Sequence, residues 1–205
     1  MRFSRSIFLA AFTVAAGSAQ AAGAGLRIGT TGLGADFGWE IAPTLGGRLG
    51  VSAGNWSGDF STSAVDYDAK LKLGNVNAFL DWSPLGPFRL TGGFIANNNK
   101  VDLTGNPGFD ATVTGTVKPS NSFAPYLGVG YGNVWTRGVN FYFDVGVMFM
   151  GAPKASLSVT CGPTATPAQC AQAQSQVAAE QTRVEDELKR FKYYPVANIG
   201  ITIGF

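Results

Sequence analysis

The stretch Tyr193-Tyr194-Pro195-Val196-Ala197-Asn198-Ile199-Gly200-Ile201-Thr202-Ile203-Gly204-Phe205 decides the fold. Ala197, Ile199, Ile201, Ile203 and Phe205 fall on one face, and Asn198, Gly200, Thr202 and Gly204 on the other. Side chains alternate across a strand with period two, so this segment predicts a strand with one apolar face and one small, polar face. A soluble protein gains little by leaving its most apolar strand at an unprotected edge. A closed membrane barrel needs this pattern: apolar residues toward lipid, polar residues toward the lumen, and aromatic residues at the interface.

The other end of the chain agrees. Arg2 and Arg5 precede an apolar run from Ile7 to Ala16, and Ala19-Gln20-Ala21 forms a small-x-small cleavage site. Residues 1–21 are therefore expected to be a cleaved signal peptide, with 22–205 the mature barrel. Cleavage removes two arginines and no acid, taking the formal charge from +2 to neutral. A neutral mature chain makes no electrostatic case for nucleic acid. No apolar run in the mature chain reaches the length a helical span requires. Cys161 and Cys170 lie nine residues apart in a chain marked for export, and are expected to pair with each other. The chain has no histidine and no further cysteine, so no metal site and no cofactor is expected.

Between the ends, the alternation recurs over 32–41, 45–56, 67–82, 88–101, 123–135 and 139–151. Glycines alternate with Leu33, Ala35, Phe37 and Trp39, but Phe37 stands where a dinucleotide loop needs its third glycine, so they read as small inward residues. Within 67–82 the apolar set changes phase at Gly74-Asn75, which predicts a β-bulge. Short turns near 42–44, 83–87 and 136–139 alternate with long polar stretches at 57–66, 100–122 and 151–192. That rhythm is the outer-membrane topology, with short periplasmic turns and long external loops. Trp39, Trp82, Phe88, Trp135, Phe141 and Phe205 sit at strand ends beside the short turns, as a periplasmic aromatic girdle would. These spans and the closing strand make seven, whereas such barrels have an even number. Residues 22–30 are the candidate for an eighth.

In the last long loop, about 152–192, Thr166-Pro167-Ala168-Gln169 reads as an N-cap, a first-turn proline and a capping-box glutamine. Val177, Val184, Leu188 and Phe191 then share one face, predicting an amphipathic helix over about 167–191. Its apolar face is expected to lie on the barrel rim, the lumen mouth or a partner.

The expected lumen charges are Arg48, Lys70, Lys72 and Arg89 against Asp36, Glu40, Asp68, Asp81 and Asp144. An eight-stranded barrel is filled by its own side chains, so these should pair as an ionic core. The other reading is a narrow or gated pore lined by them. Outer-membrane lipases, lipid A deacylases and lipid A palmitoyltransferases share the expected architecture, but a Ser–His arrangement is impossible here, and no catalytic residue is assigned.

The chain resembles the small outer-membrane β-barrel proteins of Gram-negative bacteria. The resemblance lies in Gly32–Trp39, Asp81–Asn99, Ala124-Pro125-Tyr126-Leu127-Gly128-Val129-Gly130-Tyr131-Gly132-Asn133 and Phe191–Phe205. Pro125-Tyr126-Leu127-Gly128 is also similar to OmpW-type barrels, whose first strand is longer than anything before Gly32 here. The resemblance implies an all-β, transmembrane, antiparallel up-and-down barrel located in the cell outer membrane; the residues themselves give it about eight strands and one loop helix. It implies membrane lipid and lipopolysaccharide as surroundings, and recognition of the strand ending at Phe205 by the outer-membrane assembly machinery. The expected role is non-enzymatic, structural or interactive, with a narrow porin-like conduit for small molecules as the alternative.

Overall fold

A computed structural model of the protein describes residues 21–61, 66–106 and 110–205. The expected signal segment through residue 20 lies outside the described residues. The elements run β1 (Ala22–Gly29), β2 (Gly32–Ala42), β3 (Leu45–Ser61), β4 (Asp66–Leu85), β5 (Phe88–Asn97), β6 (Lys100–Asn106), β7 (Ala111–Lys118), β8 (Phe123–Tyr131), β9 (Gly138–Met148), β10 (Lys154–Cys161), α1 (Pro167–Leu188) and β11 (Tyr194–Gly204).

Eight antiparallel strands close in the order β4-β3-β2-β1-β11-β9-β8-β5 and back to β4. The eighth strand is the short glycine-rich β1, which pairs with β11 from Gly23↔Gly204 to Gly29↔Asn198. At the seam the Ala22 N–H donates to the Phe205 carbonyl at 3.1 Å, and the Phe205 N–H returns to Ala22 at 2.8 Å. Closure leaves the ring no free edge, which is what a bilayer without hydrogen-bonding solvent demands.

The outward positions form a continuous apolar belt. Leu26, Leu33, Val76, Leu80, Leu127, Phe141 and Ile203 are each more than half exposed, while the residues between them are buried or half-buried. So large a continuous apolar surface is unfavourable in water and stabilising in lipid. No described helix is long and apolar enough to cross a membrane, and here the strands take that role.

The expected bulge at Gly74-Asn75 is not there. β3 and β4 pair in unbroken register from Leu45↔Trp82 to Ser61↔Asp66. What changes along β4 is its second neighbour: Asn75–Leu85 pairs with β5 in the barrel wall, and Asp66–Lys72 pairs with β6 above it. β6, β7 and β10 extend this upper part into a four-stranded antiparallel sheet at the long-loop end. One face of that sheet is apolar, with Leu73, Ala111, Val113 and Ala155 buried.

α1 starts as expected, with the Thr166–Gln169 capping box and Pro167 in its first turn, and it ends at Leu188. It packs on β10, burying Ala173 and half-burying Val177, Val184 and Leu188. Of the supports the sequence left open, the helix therefore uses a strand of its own chain, one that fell inside the expected helical loop. Gln181 Oε1 accepts the Leu157 N–H at 3.2 Å, so the helix also covers part of the strand's unpaired edge. The Cys161–Cys170 disulfide ties the end of β10 to the first turn of α1.

A charge-paired lumen as the candidate functional site

The inward face of the barrel gathers charge at its centre. Arg48 on β3, fully buried, bonds to Asp81 of β4 (Nε–Oδ2 2.9 Å) and to Asp144 of β9 (Nη1–Oδ2 2.6 Å). Arg89 on β5 bonds to the same two carboxylates, through Nε to Asp81 at 3.3 Å and through Nη2 to Asp144. Thr91 donates to Asp81 at 2.6 Å. Arg27 on β1 pairs with Asp36 of β2 at 3.3 Å and donates to Asn77 Oδ1 at 2.6 Å. The Tyr142 hydroxyl donates to Asp36, and the Arg48 guanidinium lies over the Tyr142 and Phe79 rings, 5.5 and 5.1 Å from their centroids. Three arginines thus face three aspartates, and buried charge of this kind persists only when balanced and hydrogen-bonded.

The glycines make room for it. A Cβ on Gly50 would overlap the Asp36 carboxylate, and one on Gly130 would come within 2.7 Å of Asp144 and 2.8 Å of Arg89. A narrow barrel can hold long charged side chains only where the opposing wall positions are small.

Below the cluster, the segment between β8 and β9 folds inward. Val134 and Trp135 are buried with Tyr142, and Ala21 packs against them. A Cβ on Gly46 would strike the Trp135 indole, and one on Gly38 would lie 2.9 Å from Val134. Arg89 donates to the Gly132 carbonyl, tying this plug to the charge cluster. Gly132 itself has φ +81°, the left-handed backbone that turns the chain inward. The lumen is thus filled at two levels, by charge at the centre and by aromatic packing at the short-turn end.

Of the expected lumen charges, Asp36, Arg48, Asp81, Arg89 and Asp144 meet in this cluster. Lys70, Lys72 and Asp68 do not. They lie exposed on the upper part of β4, and Lys72 pairs with Asp102 of β6 at 2.9 Å. Because no bulge intervenes, Lys70 and Lys72 continue the outward face and Leu71 and Leu73 the inward one, the reverse of the expectation. Glu40 is half-buried near the short-turn end and takes no part in the cluster. Of the expected girdle, Trp82, Phe88, Phe141 and Phe205 are exposed on the outer wall, and Trp39 is half-buried there, 6.0 Å from Phe37. Trp135 is 5% exposed and belongs to the plug instead, because its segment leaves the strand at Tyr131. Arg27 was missed. Its signal was a charge flanked by Leu26 and Ile28, which in a barrel strand can only turn inward.

Above the cluster, the inward row Ser52↔Asn75↔Asn97 crosses three adjacent strands. The amide nitrogens of Asn75 and Asn97 are committed to the Thr31 and Asn121 carbonyls. Ser52 Oγ, Asn75 Oδ1 and Asn97 Oδ1 are buried without a partner among the described residues.

A closed ring of eight antiparallel strands, apolar outside and ion-paired inside, is the outer-membrane type of β-barrel. The same fold is found in the crystal structures of CarO and CarO2 from Acinetobacter baumannii. CarO superposes with a TM-score of 0.62 at 24% identity, covering 89% of this chain and 97% of that one. CarO2 gives 0.62 at 21%, covering 90% and 98%. No protein-family model and no curated protein matches the sequence.

Proposed function

We propose that this is a non-conducting, non-enzymatic protein of the bacterial outer membrane, whose barrel anchors an external platform made of the upper sheet and α1. The observation that carries the reading is the closed Arg48–Asp81–Arg89–Asp144 cluster across the lumen, backed by the Val134–Trp135 plug. Opening a path through it would leave buried charges unpaired. The platform offers a two-layer surface for a partner at the cell face, and lipid with lipopolysaccharide surrounds the belt. The strand ending at Phe205 suits recognition by the assembly machinery. The test is conductance of the refolded protein in planar bilayers, with and without residues 160–191. Silence in both forms is expected, since the seal lies below the loop, and steady channels in either would refute it.

The second reading, a conduit for small molecules, is favoured by the unpartnered oxygens of Ser52, Asn75 and Asn97, which give the upper lumen a polar lining. An OmpW-type role would belong to this reading, through Pro125-Tyr126-Leu127-Gly128. It requires the cluster and plug to separate during passage.

A further inference from the structure

The upper sheet has a charged face that neither the seal nor the helix uses. In register, Lys72 lies opposite Lys100, and Lys118 opposite Lys154. Val101↔Val117 places Lys100 beside Lys118. Four lysines therefore form one unbroken row across β4, β6, β7 and β10. Like charges directly opposite one another destabilise a sheet, so a row of four is costly unless something neutralises it. Among the described residues, Asp102 is the acid that reaches it, 2.9 Å from Lys72 and 3.6 Å from Lys100. The hydrogen bond from Lys72 holds the Asp102 carboxyl below its ordinary value, so it remains ionised.

The position of the row is as telling as its charge. Each lysine stands at the barrel-side end of its paired segment: the last β4 residue paired with β6, the first of β6, the last of β7 and the first of β10. All four lie on the face that continues the lipid-facing side of β4, where Val76 and Leu80 are 55% and 56% exposed. Just below, at the top of the wall, the outward rings of Phe94 and Phe123 stack at 4.7 Å. Going up this face one meets aliphatic residues, a top row in which Phe123 stands level with Val76, then lysines, and beyond them the hydroxyls of Thr114 and Ser158, which bond to each other at 2.8 Å. That is the order of hydrocarbon, interface and phosphate depth on one side of a bilayer.

We propose that the Lys72–Lys100–Lys118–Lys154 row binds the phosphate groups of a phosphorylated glycolipid in the outer leaflet, docking the upper sheet onto the membrane surface. The proposal rests on the membrane-barrel reading and names the lipid contact within it. Lysine suits this task as a compact cation on a long stem that can follow a mobile headgroup.

The test uses the full mature protein refolded in zwitterionic micelles, titrated with diphosphorylated lipid A and with its dephosphorylated form. Bound lipid is counted by native mass spectrometry. The barrel reading is checked separately in each sample by heat-modifiable migration in a detergent gel, so loss of the barrel is distinguished from loss of the site. The native protein should retain the diphosphorylated lipid in preference to the dephosphorylated one. Each Lys→Gln change in the row should weaken retention on the order of fivefold at low salt. The fourfold Lys→Arg variant should retain it, and Asp102→Asn should strengthen it. Equal retention by the native protein and the fourfold Gln variant would overturn the proposal. So would equal retention of the two lipids, or full displacement by millimolar inorganic phosphate, which would mark a general anion site. If the fourfold Gln variant fails to migrate as a folded barrel, the single substitutions and Asp102→Asn decide: unchanged retention in these refutes the site.

Discussion

Replacing Arg48 by Gln removes one of the two arginines that join Asp81 to Asp144 across the barrel. Its guanidinium is 0% exposed, and the loss leaves Arg89 alone against two carboxylates that are 0% and 2% exposed. Breaking a buried pair in this way costs about 3–5 kcal/mol, because a charge remains without a partner. Asp144→Asn alone should cost a similar amount with the opposite sign of residual charge, since Arg48 and Arg89 would then share only Asp81. The double variant Arg48→Gln/Asp144→Asn keeps Arg89 with Asp81 and restores neutrality. It should therefore be more stable than the two single costs together imply, by a coupling of about 2–3 kcal/mol. The assay is urea unfolding in lipid vesicles, followed by tryptophan fluorescence and by gel migration. Additivity within about 0.5 kcal/mol would refute the reasoning, because it would mean that the two groups do not share one network. Single-variant costs below about 1 kcal/mol would equally show that the cluster is wet rather than sealed.

The plug gives a second expectation: Trp135→Ala should cost about 3–5 kcal/mol, as large-to-small changes in packed interiors do, while Trp82→Ala on the outer wall costs clearly less in the same vesicles. For the belt, Leu127→Arg should cost roughly 2–4 kcal/mol, and a lipid-phase quencher should reach a label at position 80 but neither 70 nor 71. The disulfide should act on the platform alone: Cys161→Ser/Cys170→Ser should weaken α1 docking by about 2–3 kcal/mol on the chain-entropy view, read as faster proteolysis near the helix with barrel unfolding unchanged. At the exposed Asp110, the N–H and hydroxyl of Thr164 bond to the carboxylate at 2.9 and 2.7 Å, and the backbone bond leads in holding its pKa below the ordinary value. A depressed folded value means that the contact is fully present above the ordinary carboxylate range and is lost as pH falls through the depressed one. Amide exchange at Thr164 should therefore lose protection as pH falls from neutral through the depressed value, after correction for intrinsic rates, and Asp110→Asn should flatten that change.

The barrel was legible because its wall obeys one rule, apolar out and small or polar in, over segments long enough to show it. β11 and β9 display it almost without exception. β1 was legible only by parity of strand number, since its glycines carry no facing information and Arg27 is its one strong inward signal. The members of the ionic core that lie on wall strands could be read from facing alone. Which acid meets which base could not, because Arg48 and Asp144 are 96 residues apart and the register that joins them runs through three other strands. Trp135 escaped for a different reason. Girdle and plug both want an aromatic residue near the short turns, and the direction of the ring is fixed by a backbone that has already left the strand period. The discriminating signal was spatial: Gly46 and Gly38 leave the space that its indole and Val134 fill.

The reversal on β4 has a physical cause that applies to any barrel strand longer than the bilayer is thick. Within the membrane, the outward face is the apolar one, because lipid lies outside and the ionic lumen inside. Above the rim, water lies outside, while the inner side of the strand packs in an ordinary protein core. A strand that continues straight through the rim keeps its geometry and exchanges its hydrophobic face. β4 does this between Val76, outward and apolar, and Leu73, inward and apolar, with Gly74 and Asn75 between them and no residue inserted. A bulge yields the same one-residue change of phase, so alternation alone cannot separate the two. Length can. β4 is 20 residues long, about twice the 9–11 that a tilted span requires. The change of phase falls near its middle, where the strand emerges from lipid. A phase change that far along an overlong strand marks the membrane surface, and the lysines beyond it then stand at phosphate depth rather than in the lumen.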